Sequence, residues 1–145
     1  MPGKKASVSE EDYLERIYEL IQAKGYARAV DIAEALGISQ PSVTSMVQRM
    51  AASGLVNYEK YRGLTLTDAG KTVAEKIQIR HKILLQFFSV IGISEEVQEH
   101  DIEGLEHHLS EETIVVLKNL TSVLESRPEI VRDIRKLGRK PLKEI

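Results

Sequence analysis

The chain of 145 residues contains no cysteine and no tryptophan, and only two phenylalanines. Without thiols, disulfides, cysteine-type zinc sites, iron–sulfur clusters and thiol catalysis are excluded, so a metal ion would have to be held by oxygen and nitrogen donors. So few aromatics leave little to build stacking platforms for single-stranded nucleic acid. Long apolar runs are also missing. No stretch approaches the roughly 18 residues of a membrane span, and "MPGKKASVSE" has lysines but no apolar segment of a signal peptide. The expected compartment is the cytoplasm, with no membrane partner. Nor is there an excess of either charge. The formal net charge is −2, and residues 1–72 hold nine basic and nine acidic side chains, unlike a simple electrostatic DNA binder.

What is present is a globular balance, 42% hydrophobic and 29% charged, in a chain long enough for one or two small domains with a real core. "SVSEEDYLERIYELIQAKGY" reads as a helix with Ser7 or Ser9 as its cap, Leu14, Ile17, Tyr18 and Ile21 as its apolar side, and Gly25 as its end. "ARAVDIAEALGISQPSVTSMVQRMAASG" reads as two helices around a turn at Gly37, the second capped by Ser39 with Pro41 in its first turn. "LVNYEKYRGLTLT" places β-formers on both sides of a polar turn, as a hairpin does. Thr67 then caps a long helix, Asp68 to Ile91. Further helices are expected from Glu95 to Leu109, from Ser110 to Ser126, and from Pro128 to Gly138. The fold class expected is mainly α: a winged helix-turn-helix domain over 1–72, and a long helix leading into an all-helical dimerisation domain over 73–145.

Residues 29–48 match the common helix-turn-helix template in register. Small Ala33, turn-forming Gly37, and apolar Ile32, Leu36, Ile38, Val43 and Met46 all fall where the template needs them. The outward side of the second helix, Ser39, Gln40, Pro41, Ser42, Thr44, Ser45, Gln48 and Arg49, is then the candidate reader of double-stranded DNA. Lys60, Tyr61 and Arg62 at the hairpin tip suit backbone or minor-groove contact.

The stretch "EGLEHHLS" packs Glu103, Glu106, His107 and His108 together. On a helix Glu103, Glu106 and His107 fall at i, i+3, i+4 and share one side, while His108 points about 100° away. The spacing by itself leaves two readings open, a solvated charged face and a chelating one. Asp12 and Glu15 form a second carboxylate pair at helical spacing, and His81 stands in the middle of the long helix. Glu99 and His100 are read as solvated.

A winged helix preceded by "EDYLERIYEL" and followed by a long helix with "RH" and then "EGLEHHLS" resembles the diphtheria toxin repressor family of metal-dependent transcription regulators. The likeness is greatest to its manganese-responsive branch, the manganese transport regulators, and runs from about Val8 to Leu124. It implies a metal site made by Asp12, Glu15, His81, Glu103, Glu106 and His107, with two Mn²⁺ per subunit bridged by carboxylates. Fe²⁺, Co²⁺, Zn²⁺ or Cd²⁺ would be able to occupy it in vitro. Four carboxylates and two neutral imidazoles carry −4, which two divalent cations balance. Iron-responsive members use a sulfur-containing residue in the first helix and a cysteine in the later motif, where this chain has Asp12 and Glu103. They also carry a third, SH3-like domain, for which 145 residues leave no room.

The function implied is a Mn²⁺-activated repressor of manganese uptake and homeostasis genes. It would bind a palindromic operator as a homodimer, with no small organic substrate. The apolar residues Leu105, Leu109, Ile114, Val115, Leu117 and Leu120 exceed what one small helical subdomain buries, and are expected to form the dimer surface. The basic tail from Arg127 to Lys143 either neutralises acids of the same chain or approaches DNA. Two nearer rivals are an iron- or zinc-responsive repressor of the same family and a winged-helix regulator answering a small organic ligand. A dinuclear metallohydrolase would share the donor set, but no general acid, oxyanion donors or substrate pocket shows in the sequence.

Overall fold

A computed structural model describes residues 8–59 and 62–145. The chain divides into two compact units between Gln78 and Ile79, inside its longest helix.

The first unit opens with α1 (Val8–Lys24), α2 (Ala29–Leu36) and α3 (Gln40–Ala52). Ser9 lies inside α1, which corrects its reading as a cap; Ser7 lies outside the described residues. Gly25, at φ 82°, closes α1 with its amide donating to Ile21 O at 2.7 Å. Gly37 turns the chain between α2 and α3 in the left-handed conformation the sequence demanded, φ 65° and ψ 34°. Ser39 caps α3 by accepting from Ser42 N, with Pro41 in the first turn.

The hairpin pairs β1 (Val56–Glu59) with β2 (Gly63–Leu66), in register from Val56↔Leu66 to Glu59↔Gly63. Leu64 also bridges to Ala27, its amide donating to Ala27 O at 2.7 Å, which fastens the wing to the start of α2. Thr67 ties the wing to α4 (Asp68–Ile91): its hydroxyl donates to Gly54 O at 2.6 Å and accepts from Gly70 N at 3.1 Å. The core gathers Leu14, Ile17, Ile32, Ala33, Val43, Met46, Val47, Met50, Leu55, Val56, Leu64 and Ala74. All but one of the inward helix-turn-helix positions are buried or packed against this core; Ile38 is the exception, 37% exposed at the tip of the turn.

The second unit contains the end of α4, then α5 (Glu95–Leu105), α6 (Glu111–Glu125), α7 (Pro128–Lys136) and a short 3₁₀ turn, Leu142–Glu144. Its core is small: Leu84, Phe88, Ile102 and Ile114, with Ile83, Phe87, Ile93, Leu109 and Leu117 packed against it. The expected dimer surface is thereby corrected. Ile114 is spent on this core and Leu109 and Leu117 pack on it, while Leu105, Val115 and Leu120 remain exposed. Val116 and Val123 join them, and at i, i+4, i+7 Val116, Leu120 and Val123 form an apolar stripe along α6.

Buried Gln98 donates to Ile93 O at 2.6 Å and accepts from the Ser89 hydroxyl at 3.3 Å, closing the α4–α5 turn. Two tail arginines are used on their own chain. Arg135 donates to Ser89 O and Val90 O at 3.1 and 3.3 Å, and Arg139 donates to Gly92 O. Both place a cation at the carbonyl end of α4, where the helix dipole favours one. No helix among the described residues is long and apolar enough to cross a membrane.

Candidate metal centre and nucleic-acid interface

The helix carrying "EGLEHHLS" is shorter than its periodicity suggested. It ends at Leu105 rather than Leu109, and Glu106 is its C-cap with φ −58° and ψ −27°. The chain then tightens into a turn, with His108 N donating to Leu105 O at 3.0 Å. The three residues expected to share one helical side differ in burial. Glu106 and His107 are buried at 3% and 8% exposure, whereas Glu103 is exposed. His108 faces solvent, opposite in environment to its neighbour His107.

Glu106 is the centre of the arrangement. Its Oε2 lies 2.9 Å from Nδ1 of His81 on α4, and its Oε1 lies 3.4 Å from Nε2 of His107. A carboxylate flanked by two imidazoles, with two of the three side chains almost fully buried, is costly unless its charge is matched. Oxygen and imidazole nitrogen donors suit a borderline or hard divalent cation. The residues present therefore fit a metal ion, with Glu106 and His81 offering adjacent side-chain donors within one unit and His107 facing the other oxygen of Glu106. Asp12 and Glu15 lie half-buried on α1 in the other unit, three residues apart. His100 is exposed and 3.3 Å from Asp101, in keeping with a solvated role.

Helix α3 sorts its side chains as a recognition helix needs. Val43, Met46, Val47 and Met50 are buried, while Ser39, Gln40, Pro41, Ser42, Thr44, Ser45, Gln48 and Arg49 are all exposed. Three hydroxyls also have local partners: Ser39 and Ser42 lie 2.8 Å apart, and Thr44 donates to Gln40 O at 3.1 Å. Burial pushes the Tyr13 phenol above its usual value, and the Arg49 guanidinium opposes that shift. Arg49 is thus close enough to α1 to be felt electrostatically while its side chain stays on the outer face. Arg62 is exposed beside Glu59, 3.6 Å away; Lys60 and Tyr61 lie outside the described residues.

One contact of this centre has no signature in the sequence. Arg80, next to His81, donates from Nη1 to the main-chain carbonyl of Glu106 at 3.2 Å. A basic residue on a helix carries no mark of which distant carbonyl it will meet.

Residues 5–64 match the family model described as "Iron dependent repressor, N-terminal DNA binding domain", and residues 67–134 match "Iron dependent repressor, metal binding and dimerisation domain". The HTH-type transcriptional regulator MntR of Lysinibacillus sphaericus (strain C3-41) is 48% identical over 126 residues, 87% of this chain and 91% of that protein. The protein of the same name from Bacillus subtilis (strain 168) is 45% identical over 132 residues, 91% of this chain and 93% of its own. Among solved structures, that of the manganese regulator SloR superposes with a TM-score of 0.69 at 28% identity, over 78% of this chain. The present chain spans about half of that longer one, 53%.

Proposed function

Because this chain belongs to the iron dependent repressor family of transcription regulators, we propose that it is a manganese-activated, DNA-binding repressor of manganese uptake and homeostasis genes. It is a regulator rather than an enzyme, as its relatives are. In this reading it binds a palindromic operator as a homodimer and holds two Mn²⁺ per subunit.

The observation that carries the reading is the buried Glu106 carboxylate between His81 and His107. In the proposal Asp12, Glu15 and Glu103 complete the donor set. Bound divalent ions would supply charge neutralisation and cross-linking of the donors. The rest is done by the chain. Asp12 and Glu15 belong to the helix that packs beneath the helix-turn-helix, through Leu14 and Ile17. His81, Glu106 and His107 belong to the other unit. Restraining the two donor groups together narrows the positions open to α3, and a dimer needs its two recognition helices about one DNA turn apart or a multiple of it. Metal affinity then appears as DNA affinity by linkage.

On α3, Gln40 and Gln48 suit adenine edges, Ser39, Ser42, Thr44 and Ser45 suit bases or phosphates, and Pro41 suits a thymine methyl. Arg49, with Lys60 and Arg62 of the wing, suits the backbone. The exposed apolar stripe Val116, Leu120 and Val123 of α6, with Val115 and Leu105, is the surface assigned to the second subunit.

Donors limited to oxygen and nitrogen favour Mn²⁺ over the iron-responsive pattern. Zn²⁺ binds such ligands more tightly on the general affinity order, so the response must depend on coordination number and on filling the site. The test is operator binding by the full chain across Mn²⁺, Fe²⁺, Co²⁺, Zn²⁺ and Cd²⁺ against a chelator, with His81→Ala as control. Mn²⁺ should strengthen binding about 5- to 150-fold, the usual range of coupling between sites. Equal affinity with Mn²⁺ and with the chelator refutes the proposal.

A further inference from the structure

We propose that Arg80 is a positioning residue of the metal centre. Its guanidinium holds the main-chain carbonyl of Glu106 and so fixes the turn that presents the Glu106 and His107 side chains. This inference rests on the metal-binding reading above.

The argument begins with the end of α5. The last carbonyls of a helix have no intrahelical donor, and a cation near them is favoured by the helix dipole. The last turn of α5 contains no basic residue of its own. Arg80 brings one from α4, donating to Glu106 O at 3.2 Å in a partly buried contact. The adjacent residue, His81, meets the Glu106 side chain at 2.9 Å. Consecutive residues of a helix diverge by about 100°, so α4 grips Glu106 at two separated points, one on its backbone and one on its carboxylate. Two points set the side-chain torsions as well as the position, and a charge-assisted bond to the carbonyl is stronger than a neutral one.

The choice of the carbonyl matters. A guanidinium paired with the carboxylate would compete with a cation for both oxygens. On the carbonyl, Arg80 leaves Oε1 and Oε2 directed at His107 and His81. It also occupies the main-chain oxygen, a donor that hard cations accept readily. Arg80 therefore selects which oxygens of Glu106 are offered.

Charge and positioning make opposite predictions. A fixed positive charge repels a dication, so by charge alone removing it would tighten metal binding. By positioning, removing it loosens the turn and weakens binding. The experiment measures the Mn²⁺ affinity of the full-length chain by titration calorimetry and by the paramagnetic resonance signal of free Mn²⁺, for wild type, Arg80→Met and Arg80→Lys. Thermal unfolding in chelator is recorded alongside. Arg80→Met should bind about 10- to 100-fold more weakly, as loss of a residue that orients a ligand does. Arg80→Lys should fall between, and the resonance spectrum of bound Mn²⁺ should change.

Unchanged or tighter binding by Arg80→Met overturns the proposal. So does a lowered unfolding temperature in chelator with no change in affinity, which is the mark of a purely structural contact. If Arg80→Met does not fold, Arg80→Lys decides: weaker binding supports positioning and wild-type binding refutes it. Failure of the wild type to bind Mn²⁺ at all removes the metal reading itself, a distinct result.

Discussion

Gly70 sits in the first turn of α4, where general helix propensity favours alanine by about 0.5–1 kcal/mol. The structure reverses that expectation. A Cβ at this position would lie 1.9 Å from Leu55 O, 2.9 Å from Leu55 C and 3.4 Å from Leu55 Cα, all backbone. Since Cβ atoms essentially never approach within 3.0 Å, one backbone must move by about 1.1 Å. Leu55 is poorly placed to yield: its amide donates to Met50 O at 2.9 Å and its carbonyl accepts from Thr67 N at 3.1 Å. Overpacking of this kind costs about 1–3 kcal/mol, and loss of the Thr67 hydrogen bond about 0.5–1.5 more. Against the propensity gain, Gly70→Ala should destabilise by about 0.5–4 kcal/mol. Gly104 on α5 is the control, because a Cβ there meets nothing within 4 Å, and Gly104→Ala should be neutral or stabilising by up to about 1 kcal/mol. Denaturant unfolding followed by circular dichroism, in chelator so that metal linkage does not intrude, measures both. A Gly70→Ala protein as stable as wild type, or a Gly104→Ala protein equally damaged, would refute the reasoning.

The buried and exposed members of the histidine pair should separate cleanly. His107→Ala should weaken Mn²⁺ binding at least about tenfold, equivalent to ~1.4 kcal/mol, while His108→Ala should stay within about twofold, as competition against a fluorescent chelator will show. Gln98→Leu removes the donor to Ile93 O and the acceptor for Ser89 inside the second unit. It should cost about 1–3 kcal/mol, the penalty of leaving buried polar groups unmet. A variant whose denaturation midpoint matches wild type would contradict that account.

Much of this protein is written in short-range pattern. Helix starts at Ser39, Thr67 and Ser110, stops at Gly25, Gly54 and Gly138, and the β-formers on both sides of the wing turn depend on local backbone chemistry. The helix-turn-helix was legible because its packing constraints recur at fixed spacing, and α3 turns the expected side chains outward. The candidate donors were legible only in combination: the spacing of Glu103, Glu106 and His107 by itself left a solvated face and a chelating one open, and the family resemblance joined them to Asp12, Glu15 and His81. Where α5 stops was not, because Glu106 and His107 continue a helical spacing that the backbone leaves after Leu105. Burial of Glu106 and His107 but not Glu103, the attachment of Arg80 to a carbonyl 26 residues away, and the reason Gly70 must lack a side chain were decided by tertiary structure. Each depends on which backbone atom of another element lies within a few ångströms, and local sequence carries no record of that distance.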